Sequence, residues 1–239
     1  MHGINPPKCL YVQKRREVTT SELSELAQRN SVKIVSRDGR FLDDLAGGAN
    51  HQGFALELES RKYYTLKEFL LTLPESGRVM LLALDEIYDP QNLGSIIRSA
   101  ECFGVTAVMW SKNRGVGVTP AVTKVSAGAS EIVPLIPVSN LRSDLNVLKE
   151  NGFWVIAAHG ESAGEKRPVQ SLFELSFPER AVLVLGSEGK GVQPLILQEA
   201  DIIAKIPMTG RIGSLNVGQA AVSFLTSWTG SLADASSKK

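Results

Sequence analysis

The sequence predicts an α/β protein in which helices cover both faces of a parallel sheet, preceded by a small α/β domain. Two observations carry that expectation. From Val79 onward, near-continuous apolar runs alternate with stretches of helical period, the pattern of buried parallel strands and their crossover helices. The periodicity also changes near Leu73-Pro74-Glu75-Ser76-Gly77, and a shorter mixed stretch lies ahead of it. A chain of 239 residues with 43% hydrophobic content can bury a full α/β core with a small second domain.

In order, Cys9–Val12 reads as a strand, Thr20–Asn30 as a helix capped by Thr20 or Ser21, and Val32–Val35 as a second strand. Phe54–Leu58 alternates as a half-buried strand does. Strands then follow at Val79–Leu84, Val105–Trp110, Ile132–Ile136, Phe153–Ala158, Val182–Leu185 and Ile202–Ile206. Helices fit Asn92–Phe103, Pro120–Ala129, Leu141–Asn151 and Leu215–Trp228. The expected domains are 1–60, a linker at 61–77, a larger α/β domain at 78–230 and a small, polar, disordered tail at 231–239.

Composition sets wider bounds. The formal charge of +1 gives no global pull toward nucleic acid, so any such contact rests on local patches. Cys9 and Cys102 are far apart and lack metal-ligand spacing, which fits a reducing compartment and no bound metal. No run approaches the ~18 consecutive apolar residues of a membrane span, and no signal peptide is visible.

Two glycine-rich loops interrupt apolar strands late in the chain. Gly186-Ser187-Glu188-Gly189-Lys190-Gly191 follows one, and Thr209-Gly210-Arg211-Ile212-Gly213-Ser214 follows Ile206-Pro207-Met208. Glycines let a backbone approach a ligand closely, and Ser214 or Asn216 can cap the helix that comes next. The same residues would equally close a plain strand-to-helix turn. A dinucleotide fold is a poor match, because the glycine order differs from G-x-G-x-x-G. A Rossmann loop also follows the first strand, whereas the chain after Gly186 has room for only one strand, one long helix and a tail.

Three segments together resemble the motifs of the SpoU/TrmH family, the RNA 2′-O-ribose methyltransferases of the SPOUT superfamily. They are Asn92, Gly94 and Arg98 in the first, Gly186, Glu188 and Gly189 in the second, and Ile206-Pro207-Met208 with Ser214-Leu215-Asn216-Val217 in the third. The resemblance implies a SPOUT-type parallel sheet whose C-terminal segment threads a trefoil knot, an exception to the rule against knots. It also implies a homodimer with the site near the interface. His51-Gln52-Gly53 matches a triplet of the small L30e-like substrate-binding domain that precedes the catalytic domain in many members. Here Gly3-Ile4-Asn5-Pro6 runs almost straight into the first strand, so the first helix of that domain is missing.

The implied chemistry is methyl transfer from S-adenosylmethionine to a ribose 2′-hydroxyl of RNA, with no metal required. Arg98 is the catalytic candidate, on the face of its helix opposite Leu93, Ile96, Ile97, Ala100 and Phe103. A guanidinium stays protonated, so its role reads as clamping an RNA phosphate and stabilising the developing alkoxide. Asn92, Glu188, Ser214 and Asn216 orient that arrangement. Glu188 is otherwise a surface partner of Lys190, and Asn216 otherwise a helix-start residue. The resemblance assigns the cofactor to Gly186, Ile206 and Leu215, with Met208 and Gly210 nearby, and His159 lies beside it in the family order. Basic clusters at Lys8, Lys14, Arg15 and Arg16, around Tyr11, and at Lys112, Arg114 and Lys124 are the candidate RNA contacts.

The N-terminal domain and the run Lys124–Ala129 lean toward the branch acting on a guanosine of large-subunit ribosomal RNA. Transfer RNA as substrate, or a catalytically silent RNA-binding protein of the same fold, are the alternatives. The expected compartment is the cytoplasm for a bacterial protein and the mitochondrial matrix for a eukaryotic one.

Overall fold

A computed structural model describes residues 5–14, 20–47, 50–159, 168–187 and 189–236, with the side chains of 20, 21 and 232–236 excepted. The chain divides into two compact units, 1–62 and 63–239.

The first unit comprises β1 (Pro7–Gln13), α1 (Thr20–Arg29), β2 (Lys33–Arg37), α2 (Gly39–Ala46) and β3 (Phe54–Leu58). Its sheet has the order β2-β1-β3, with β1 parallel to β2 and antiparallel to β3. Leu10, Val12, Ala27 and Val32 form its small core. Asn5 and Pro6 lead straight into β1, with no helix between them among the described residues. The sequence reading does not include α2, although its start is marked. Asp38 caps it by accepting from the Phe41 amide at 2.9 Å, and Gly47 ends it in a left-handed conformation (φ 55°). His51-Gln52-Gly53 forms a tight turn in which His51 Nδ1 accepts from the Gly53 amide at 2.9 Å. That bond assigns the ring proton to Nε2, which lies 3.0 Å from Asp43 Oδ1.

The second unit holds α3 (Leu66–Leu70), β4 (Val79–Leu84), α4 (Pro90–Cys102), β5 (Ala107–Ser111), α5 (Pro120–Val125), β6 (Leu135–Val138) and α6 (Leu141–Glu150). It continues with β7 (Trp154–Ala158), β8 (Val169–Ser171), β9 (Arg180–Leu185), α7 (Pro194–Leu197), β10 (Ile202–Lys205) and α8 (Val217–Ser236). Seven strands pair in parallel in the order β6-β5-β4-β9-β7-β10-β8. Successive side chains of the central β4 point to opposite faces. Met80, Leu82 and Leu84 meet Ile96, Ile97 and Phe224 on one face. Val79, Leu81 and Ala83 meet Leu141, Leu145 and Leu148 on the other. The continuous apolar run in the sequence is therefore a strand covered twice.

Several expected boundaries shift for local reasons. Residues 61–77, expected as a linker, contain α3, whose Leu66 and Phe69 are buried and whose start carries a Thr65–Glu68 capping box. The helix from Pro120 stops at Val125, because Ala127 and Gly128 adopt left-handed conformations (φ 51° and 84°). The strand expected at Ile132 begins at Leu135, after Ile132 and Pro134. The last helix begins at Val217 rather than Leu215, and it runs on to Ser236 through part of the expected disordered tail. Leu232, Ala233 and Ala235 are good helix formers, which accounts for the extension.

Gly94 of the first motif has a steric role. A Cβ there would lie 2.6 Å from Val125 Cβ and 3.0 Å from the Val122 carbonyl oxygen, so α4 and α5 pack closer than any side chain allows. Gly94→Ala is expected to lower stability by about 1–3 kcal/mol, the usual range for overpacking. Urea denaturation followed by circular dichroism measures it.

Candidate active site

Strands β9, β7 and β10 end side by side, and the loops that follow them enclose a cavity of about 460 Å³. Open parallel sheets bind ligands at this carboxyl edge. Ala158 and His159 line it from β7, Leu185 and Gly186 from β9, and Val217, Ala220 and Phe224 from α8. The loop after β10 contributes Ile206, Met208, Gly213, Ser214 and Leu215.

The segment after β9 folds back on itself. Ser187 and Gly191 form an isolated bridge, with the Gly191 amide donating to the Ser187 carbonyl at 2.9 Å. A Cβ on Gly186 would collide with the backbone of Gly191 and Val192. Glycine is required there by contact rather than by conformation.

Ahead of α8, Asn216 does the capping. Its Oδ1 accepts from the Gly218 amide at 2.8 Å, and its carbonyl accepts from the Ala220 amide at 2.9 Å. Its Nδ2 donates to Oδ1 of Asn92 at 2.9 Å, which ties the start of α8 to the start of α4. Asn92 is buried, and Asp89 caps its helix. The two helices touch closely, since a Cβ on Gly218 would lie 2.5 Å from Ser95 Oγ.

Four of the five expected cofactor residues, Gly186, Ile206, Met208 and Leu215, line the cavity. Gly210 does not. It sits in an exposed bend where a Cβ would meet nothing within 4 Å. Of the expected catalytic residues, Ser214 lines the cavity, and Asn92 and Asn216 bond to each other behind it. Arg98 is exposed on α4 and is not among the lining residues. Glu188 lies outside the described residues, as do Arg15 and Arg16. Lys112 is exposed, and Arg114 donates to Gln193 Oε1 at 3.0 Å.

His159, which the sequence offers only as a neighbour of the site, is a lining residue. Its Nδ1 is buried with no hydrogen-bond partner among the described residues. Such an orphan in a native fold calls for an explanation, and a ligand atom in the cavity supplies one. S-adenosylmethionine suits this donor set. Ile206, Leu215 and Phe224 offer apolar walls for the adenine, the two loops offer backbone groups for its edge, and His159 offers one buried ring nitrogen. Among the described residues, no three His, Cys, Asp or Glu side chains gather to hold a metal ion.

Comparison with known proteins identifies the family. Residues 79–226 match the SpoU rRNA Methylase family, and residues 2–64 match the RNA 2′-O ribose methyltransferase substrate binding family. A relative from Pseudomonas aeruginosa, 37% identical over 86% of this chain and 81% of its own length, is named 23S rRNA (guanosine-2′-O-)-methyltransferase RlmB. A putative TrmH-family RNA methyltransferase from Porphyromonas gingivalis has a similar structure. Its TM-score is 0.69 at 26% identity, covering 94% of this chain and 83% of that one. The AdoMet-bound rRNA methyltransferase from Sinorhizobium meliloti shares the fold, with a TM-score of 0.75 at 21% identity over 93% of this chain and 79% of that one. The chain belongs to the SpoU rRNA methylase family, with that family's N-terminal substrate-binding domain.

Gly186→Ala is expected to leave the helical content intact and to weaken S-adenosylmethionine binding by roughly tenfold or more, about 1.4 kcal/mol for each factor of ten. Isothermal titration calorimetry measures the loss. Unchanged affinity would mean that the Gly186–Val192 contact does not shape the cavity.

Proposed function

We propose that the protein methylates a ribose 2′-hydroxyl of RNA, a guanosine of large-subunit ribosomal RNA, with S-adenosylmethionine as methyl donor. The observation that carries this reading is the cavity itself. It brings residues of the second and third motifs, separated in sequence by a helix and a strand, onto one wall. The rRNA methyltransferase name of the Pseudomonas aeruginosa relative supports the substrate.

The bound cofactor supplies an activated methyl on a sulfonium, and the chain's own residues do the rest. Ile206, Met208 and Leu215, which line the cavity together with Gly186, would hold its adenosine. Ser214, on the rim of the cavity, orients the ribose that presents its hydroxyl. The Asn92–Asn216 bond fixes the base of that loop relative to α4, the helix that carries Arg98. Arg98 clamps a phosphate of the RNA and stabilises the negative charge that develops on the 2′-oxygen as its proton passes to solvent water and its bond to the methyl forms. Glu188 belongs to the same set through its motif.

Arg98 does not line the cavity of its own chain. We infer that it serves the cavity of a second copy in a homodimer, as the family likeness implies together with a knotted C-terminal path. No helix among the described residues is long and apolar enough to cross a membrane. The Pseudomonas aeruginosa relative is bacterial, which supports a bacterial cytoplasmic setting.

Arg98→Ala is expected to keep S-adenosylmethionine affinity within a few-fold and to lower turnover by ~10² or more, the scale of one strong transition-state contact. Arg98→Lys should rescue poorly, since an ammonium lacks the planar fork. Near-normal turnover of Arg98→Ala on ribosomal RNA would remove this residue from the chemistry.

Leu215→Asp places an unpaired carboxylate on the cofactor wall and is expected to abolish binding, whereas Ser214→Ala should bind the cofactor and lose activity. Calorimetry paired with a methyl-transfer assay separates the two. Mixing the inactive Arg98→Ala and Leu215→Asp proteins tests the dimer. Recovered turnover places Arg98 opposite the partner's cofactor, and none places it in its own chain's site.

A further inference from the structure

A second cavity, about 480 Å³, opens on the same carboxyl edge of the sheet. Gly191 lines the first cavity and Gln193 the second, so one short segment separates them. The second lies where the sheet changes direction. From β4 the chain steps outward to β5 and β6, and then returns to place β9 and β7 on the other side of β4. Crevices at such reversals are the usual ligand sites of open parallel sheets.

Its floor is apolar. Leu141 and Ile196 are buried, and Leu195 turns an exposed apolar side chain to the cavity, 54% accessible. Its rim is a relay anchored in the core. Asp85, 2% exposed at the end of β4, accepts from both the backbone amide and the Nε2 of Gln193, each at 2.8 Å. Burial pushes the Asp85 carboxyl above its ordinary value, and the two bonds from Gln193 oppose that rise. With Nε2 committed to Asp85, Gln193 turns Oε1 outward, where it accepts from Arg114 Nη1 at 3.0 Å. Arg114 also rides on an anchored loop, because the Lys112 amide bonds the Val138 carbonyl and the Val116 amide bonds the Ile87 carbonyl. Next to Asp85, Glu86 holds a left-handed backbone conformation (φ 57°), one that non-glycine residues keep where surroundings enforce it.

The charges around this cavity are already matched. Arg114 lies 4.0 Å from Glu86, and Arg142 is paired with Glu199. A free anion would gain little here. Neutral hydrogen bonding remains available. Ser111, only 6% exposed at the end of β5, lines the cavity and brings a hydroxyl to it. The Asn113 amide lies on the exposed rim beside it. Apolar and guanidinium surfaces for a flat ring, with hydroxyl and amide groups for its edge, are the means by which proteins take unstacked bases.

We propose that this second cavity receives one nucleobase of the RNA substrate, turned out of its strand, with Ser111 and Asn113 reading its edge and Leu195 and Arg114 against its faces. The proposal rests on the RNA methyltransferase reading and extends it. While the cofactor occupies the first cavity, the second holds the strand in register. Gln193 and Asp85 act as positioning residues, since Asp85 fixes Gln193 and Gln193 Oε1 holds the Arg114 guanidinium.

The test uses the full chain and three probes: a short single-stranded RNA, the four free nucleosides, and inorganic phosphate. Nucleosides should shift the side-chain amide resonances of Gln193 and Asn113 in proton–nitrogen NMR spectra, and phosphate should not. Asn113→Ala, on the exposed rim, and the conservative Ser111→Ala should each lower RNA affinity about tenfold, the scale of a lost hydrogen bond in a closed site. Both should leave S-adenosylmethionine affinity within twofold. Shifts with phosphate but not with nucleosides would make this an anion site and overturn the proposal. Nucleoside binding with RNA affinity unchanged in both variants would overturn the strand base as its occupant. If the unmodified protein binds no RNA, the functional reading itself fails. If it binds RNA as tightly as both variants do, only the second cavity is lost.

Discussion

No side chain fits on Gly186. The backbone of Gly191 and Val192 crosses so close to it that any Cβ would overlap main-chain atoms, which cannot rotate away as a side chain can. That contact folds the segment after β9 into a compact turn, and the turn has consequences on both sides. Toward β7 it closes the cavity that holds His159 and the Ile206–Leu215 wall. Toward β4 it delivers Gln193 to Asp85. The two cavities are therefore coupled by covalent geometry, through a handful of residues whose positions follow from one close approach.

The residues of the proposed chemistry are divided unevenly between rigid and exposed parts. Asn92 and Asn216 are each committed by hydrogen bonds, one between them and the others to the backbone of α8. Ser214 and Leu215 sit in an exposed loop whose shape is set at its ends, by β10 before it and by the Asn216 cap after it. Arg98 stands on a rigid helix with its side chain in solvent. In the role proposed for it, meeting a charged polymer, Arg98 gains from that exposure, because a guanidinium buried in the free protein would first have to lose its own partner.

Much of the fold is legible in the sequence because burial on both faces leaves a continuous apolar record. Val79–Leu84 reads correctly to the residue. β8 escapes because three half-exposed edge residues leave no such record, and α3 because five residues are too few to show a helical period. Within the site, Gly186, Ile206, Met208 and Leu215, picked out by motif spacing, line one cavity, whereas Gly210 sits in an exposed bend outside its lining, a distinction that sequence cannot make. Asp85 carries no motif, although an acid at the end of a buried strand is itself a signal. His159 stands out only weakly in the sequence, since only three dimensions reveal that its ring nitrogen is buried without a partner among the described residues.

The pairing of β4 with β9 sets an order of events during synthesis. β4 is complete at Leu84, yet the strand that covers one of its long edges begins at Arg180. Until that later segment leaves the ribosome, a fully apolar central strand has only β5 beside it. Its open edge is a template for mispairing, and such long-range parallel contacts form slowly. Nascent chains of this protein therefore spend a long stretch of their synthesis with an unprotected strand, the circumstance in which holding chaperones act.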